Sequence, residues 1–241
     1  MEATIAASAL EKSPRPSVRH QSPPLGVLAT AFTILKLASI ACVSQLASQP
    51  PFPAPQQPGA DIVSYFRLHP SLVLACAFLQ VGAAIPLGLF AASTVSRLRF
   101  LGVQAAGATI ALFGGLAAAF DTSACAAVLW TAAHGGVAAD ASLLQGLYYL
   151  AFALGGPGYS MPLGILMAGV SVPALIMKLM PRWISVLGLA LAVIGELSWL
   201  SLIVPGALFL VPLTRFPGFV WLIAAGFALP ATRPARPAAA R

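Results

Sequence analysis

The chain has 241 residues, of which 59% are hydrophobic and 8% charged, with a formal net charge of +7. A water-soluble domain carries roughly a quarter charged residues, so this composition leaves too little polar surface to cover a soluble fold. The positive charge is scattered in short segments between apolar runs rather than gathered in one stripe, which argues against nucleic acid as a partner and makes the cations topology signals.

Residues 1–24 are basic and rich in Pro, Ser and Ala, with too little apolar surface to offset the entropy of ordering, so a disordered tail is expected. A helix that crosses about 30 Å of hydrocarbon needs about 20 apolar residues. Runs of that length occur at 25–47, 70–94, 100–121, 142–173, 183–203 and 206–230. The first is too long for a signal-peptide core and contains Lys36, so it reads as an uncleaved helix. Between the first two runs, QPPFPAPQQPG holds five prolines and predicts a stiff polyproline II spacer. Tyr65, Phe66 and Arg67 follow and are expected at the lipid interface. The third run can continue through ACAAVLWTAA to about residue 132, which moves Asp121 from the surface into the outer leaflet. The fifth and sixth have almost no loop between them, and Pro205 and Gly206 are the expected turn. Residues 231–241 form a second basic tail.

These elements define an all-α polytopic transmembrane bundle of six helices, spanning 25–230. With the N-terminus inside, ten Lys and Arg residues fall on the cytoplasmic side and only Arg67 and Arg215 on the other, so both termini are expected in the cytoplasm.

Few polar groups lie within the spans. Lys36 and Glu196 fall about 16 and 20 Å from the inner side at 1.5 Å per residue. A charge near the midplane costs about 2.5 to 3.5 kcal/mol, so each needs a partner, and the economical expectation is that the two pair and bring the first and fifth helices together. Gln80 lies at the same level and can add hydrogen bonds. The fourth span contains GGPGYSMPLG, in which Gly155, Gly156, Pro157 and Pro162 predict a kink or a break. Interrupted helices build transporter binding sites, but they also serve packing alone. Arg67, His69, Asp121, His134 and Arg215 are expected at the outer face. The histidines do not recur at ligand spacing, so neither a metal nor a haem is expected, and no cofactor is implied. Cys42 and Cys76 are close enough in depth for a disulfide, although buried free thiols are the ordinary state of such residues. No nucleophile elbow, phosphate loop or pair of catalytic carboxylates is present, which leaves no sign of an enzyme.

The stretches LAFALGGPGYSMPLGILMAGVSVPA, MPRWISVLGLALAVIGELSWLSL and PLTRFPGFVWLIAAGFALP resemble an uncharacterised family of bacterial six-helix membrane proteins classed as a domain of unknown function. The likeness covers roughly 25–230 and includes Pro181, Arg182 and Trp183 before the fifth helix and Arg215, Phe216, Pro217 and Trp221 in the last. It implies a bacterial plasma-membrane location and brings no activity. Two functions are therefore expected of the chain. It is a sensor, accessory or interaction protein of the envelope, with lipid and a membrane protein or a second copy as partners, or a small-solute or ion transporter using Lys36, Gln80 and Glu196.

Overall fold

The computed structural model describes residues 17–44 and 51–234. Its helices are α1 (Leu25–Cys42), α2 (Gly59–Leu68), α3 (Pro70–Phe100), α4 (Gly107–Ala132), α5 (Gly135–Ala139), α6 (Ala141–Gly155), α7 (Pro157–Ile176), α8 (Arg182–Leu197) and α9 (Leu210–Ala228). Two 3₁₀ turns, Ser198–Leu202 and Pro205–Phe209, connect α8 to α9. Six segments are long and apolar enough to cross a membrane, with α6 and α7 together forming one of them. The exterior fits that solvent: Phe78, Phe113, Phe120 and Phe227 point outward from three different spans. An apolar surface on every side has no place in water and is compatible with lipid tails.

The spans close into a ring in which α9 packs on α1, α1 on α3, α3 on α4, α4 on α7, α7 on α8 and α8 on α9. Small residues permit the closest approaches. A methyl group at Gly114 of α4 would come within 2.5 Å of the Leu166 backbone nitrogen of α7, and one at Gly169 of α7 within 2.5 Å of the Ala111 nitrogen of α4. The two helices touch backbone to backbone.

Both ends of the described chain lie on one side, hereafter the proximal face. Ser17–Arg19 (β1) pairs antiparallel with Thr232–Pro234 (β2), with Val18 opposite Arg233. His20 reaches Ser96 through a 3.1 Å hydrogen bond, and the Arg233 guanidinium lies 4.6 Å from the Phe100 ring centroid and donates to the Phe100 carbonyl. Disorder was expected throughout 1–24 and 231–241; in fact 17–24 and 231–234 are folded onto the end of α3, and the rest of both tails lies outside the described residues.

Several boundaries differ from the hydropathy reading. Helix α1 ends at Cys42 instead of residue 47, which leaves Lys36 six residues, or about 9 Å, from its distal end rather than near its middle. Helix α3 runs on to Phe100 and carries Arg97 and Arg99 within its last turn. The third span occupies Gly107–Ala132, so Asp121 is a mid-helix residue. Two connecting segments are structured. Residues 51–58 turn back across the bundle, held by Phe52 N donating to the Val43 carbonyl and by Ala54 N donating to the Gln57 side chain, so they do not form a straight spacer. Helix α2 buries Tyr65 and Phe66 completely against Phe52 and Tyr148, which takes both rings away from the lipid interface.

The interior divides into two apolar clusters. The proximal one includes Phe32, Leu87, Tyr159, Leu163, Met167 and Trp221; the distal one gathers Ile62, Tyr65, Phe66, Cys76, Cys125 and Tyr148 beneath α2 and the 51–58 segment.

A two-cation chamber in the distal half

Between the clusters lies a cavity of about 340 Å³, within the size range of small-molecule sites. Its wall is contributed by α1, α3, α4, α6, α9 and the segment 52–55. Helix α1 supplies Lys36, which is 2% exposed, because its other faces meet lipid through Ile34 and Leu37. The ammonium donates to the Gln80 side-chain Oε1 at 2.9 Å, and Gln80 Nε2 in turn donates to Cys76 Sγ at 3.3 Å. Ser39, one turn on, returns its hydroxyl to the Lys36 carbonyl at 2.7 Å.

Arg215 faces the same space from α9. Its guanidinium donates to the carbonyl of Gly155, while its Nε has no hydrogen-bond partner among the described residues. That carbonyl is free because the fourth span is interrupted: Gly156 has φ −91° and ψ −103°, outside the helical region, and Pro157, which has no N–H, begins α7. Arg215 thus sits on the negative end of α6, where a cation is favoured. Both cations lie over one ring. Lys36 Nζ is 5.2 Å and Arg215 Cζ 5.5 Å from the Tyr159 centroid, so the two charges are no more than about 11 Å apart.

Aromatic rings pack beneath the two cations. Phe32 lies 6.4 Å from Tyr159 and 5.8 Å from Phe219, and Phe32 and Tyr159 are completely buried. Above, Tyr148 donates its hydroxyl to the Pro53 carbonyl at 2.7 Å and fastens the 51–58 segment over the chamber. The thiols of Cys76 and Cys125 both face the cavity; Cys42, Cys76 and Cys125 are free, with no disulfide.

The expected Lys36–Glu196 pair is not formed. Glu196 lies exposed on α8, and α8 packs on α7 and α9, whereas α1 packs on α3 and α9. Gln80, expected only as a supplementary partner, is the group that receives Lys36. Two residues assigned to the outer face lie elsewhere. Arg215 lines the chamber, and Asp121 sits within α4 beside Gly158, where a methyl group would lie 3.7 Å from its carboxyl carbon. Arg67 bonds the carbonyls of Ala138 and Ala139, His69 stacks near Tyr65 with ring centroids 5.1 Å apart, and His134 contacts Trp130, all in the distal connections. Gly155 and Gly156 belong to the chamber wall, while Pro157 and Pro162 lie in α7 below.

Sequence reasoning missed the chamber role of Arg215 and the part played by Phe52. One signal was available: Arg215 falls inside the apolar run 206–230, where a charge requires a protein-facing position. No Asp or Glu is among the described lining residues, so two cations share a low-dielectric space without a carboxylate. Comparison of the chain with protein-family models, with curated proteins and with solved structures yields no match.

Proposed function

We propose that the chain is a multi-pass protein of the bacterial plasma membrane, with its proximal face and both termini in the cytoplasm, that takes a small ligand from the outside into the distal chamber. It acts as a sensor or accessory binding protein of the envelope. The observation that carries this reading is the arrangement of the chamber: polar groups converge at its base, over the Tyr159 ring that packs with Phe32, itself packed on Phe219. A binding protein needs such a site and no passage beyond it.

The test is directional labelling. A membrane-impermeant thiol reagent, 2-sulfonatoethyl methanethiosulfonate, added to right-side-out vesicles should modify Cys125 and an Ile40→Cys variant. Added only to the lumen of the same vesicles it should modify neither. Modification from the lumen would refute the reading.

A second reading, solute transport, is favoured by one feature, the break at Gly156 beside two cations, since interrupted helices form the central sites of transporters. Counterflow or uptake by proteoliposomes, abolished by Lys36→Met, would establish transport in place of simple binding.

A further inference from the structure

The chamber's two ends differ in chemistry. At its base are Lys36, Gln80 and Arg215; the walls above are Phe52, Leu129, Phe152, Leu208 and Val211, all without side-chain polar groups. Each cation is only partly satisfied. Among the described residues Lys36 has one side-chain acceptor and the face of a ring, while Arg215 has one carbonyl, the same ring and an Nε with no partner. A buried cation held by neutral groups alone carries an uncompensated desolvation cost, whereas a bound anion between two cations gains charge-assisted hydrogen bonds from both. A guanidinium suits a carboxylate or a phosphate because its N–H groups meet two oxygens at once. A bare inorganic ion would satisfy the base and leave the apolar volume above it unfilled; an uncharged amphiphile would fill that volume and leave the cations as they are.

We propose that the chamber binds an amphiphilic anion, its carboxylate or phosphate head between Lys36 and Arg215 and its short aliphatic tail against Phe52, Leu129, Phe152 and Val211. This rests on the reading of the cavity as a ligand chamber open from the distal side. Cys125 and Cys76, which line the cavity, report on occupancy without any substitution.

The experiment measures the rate at which N-ethylmaleimide modifies Cys76 and Cys125, site by site by mass spectrometry, in the full chain reconstituted in nanodiscs. Four probes are compared at equal concentration: sodium octanoate, octyl phosphate, octan-1-ol and inorganic phosphate. Octanoate or octyl phosphate should slow modification about tenfold, while octanol and inorganic phosphate change it less than about twofold. Preference for octanoate over octyl phosphate, or the reverse, identifies the head. Lys36→Met and Arg215→Met should each abolish protection, and Lys36→Arg and Arg215→Lys should retain at least half of it. If a Met variant does not fold, the four probes on the native chain decide alone.

Equal protection by octanol would make the site an apolar pocket and overturn the proposal. Equal protection by inorganic phosphate would reduce it to a simple anion site and overturn the amphiphile. Ready modification that no probe slows would leave the chamber reading intact and overturn the ligand class. Thiols that never react, together with an unreactive Ile40→Cys, would overturn the chamber reading itself.

Discussion

Replacing Gln80 with Leu removes the one side-chain acceptor that the described residues offer to a lysine that is 2% exposed. A hydrogen bond to a charged group contributes about 1.5 to 3 kcal/mol, and its loss leaves Lys36 with only the Tyr159 ring, worth about 0.5 to 2 kcal/mol. Gln80→Leu should therefore destabilise the bundle by about 2 to 3 kcal/mol. Lys36→Met behaves differently, because it removes a cation whose insertion costs about 2.5 to 3.5 kcal/mol while leaving the Gln80 side-chain Oε1 unbonded at about 1 to 3 kcal/mol. Those contributions nearly cancel. In the double variant neither the Lys36 charge nor an orphaned Gln80 acceptor remains, so it should be at least as stable as the parent. The cost of Gln80→Leu should thus disappear once Lys36 is absent. The assay is the temperature at which detergent-solubilised protein loses its monodisperse peak, with no ligand added, and the single Gln80 change should lower it by roughly 4 to 12 °C. A Gln80→Leu penalty of equal size in the parent and in Lys36→Met would refute the coupling and with it the account of the chamber base.

Other expectations follow from particular contacts. Tyr148→Phe removes the bond to the Pro53 carbonyl, worth about 1 kcal/mol, and should raise the rate of Cys125 modification about fivefold by loosening the segment above the chamber. Gly169→Leu must separate α4 from α7 and should cost well over about 1 kcal/mol, read as loss of monodisperse protein; wild-type behaviour would show that the backbones do not meet there. His20 has its pKa lowered from the ordinary value of 6.5 by desolvation and then by the charge of Arg97. Its folded form resists protonation, so its contribution to stability is present above 6.5 and is lost as the pH falls through that value toward the lower folded pKa. An NMR titration of His20 with a midpoint above 6.5 would contradict the placement of the terminal ribbon against α3.

The six spans were legible because apolar length is a one-dimensional property, and the bilayer tests length before it tests anything else. The partner of Lys36 was not. Depth along a helix axis can be counted from the sequence, but the direction a side chain takes around that axis depends on which helix lies beside it. Lys36 and Glu196 were matched by depth, and the ring order places α3 rather than α8 next to α1. Tyr65 and Phe66 failed for a related reason: a short segment with aromatic and basic residues has the composition of an interfacial anchor, and only Phe52 and Tyr148, distant in the chain, turn it into a core. The end of α1 was overrun because Val43 and Ser44 are as compatible with lipid as the helix before them, and hydropathy has no terminus in it. Arg215 was counted with the outer-side cations, as basic residues near short connections usually are, although its neighbours along α9 are apolar.

The pairing of β1 with β2 has a consequence for how the protein is made. Of the six spans α1 is synthesised before the others, yet α9, one of its two neighbours, follows all five. Until then Lys36 has Gln80 beside it but neither Arg215 nor the wall that α9 provides. Insertion of the final span and closure of the ribbon are therefore late events, and a nascent chain halted before residue 205 would hold five spans around an unfinished site with one side open to lipid.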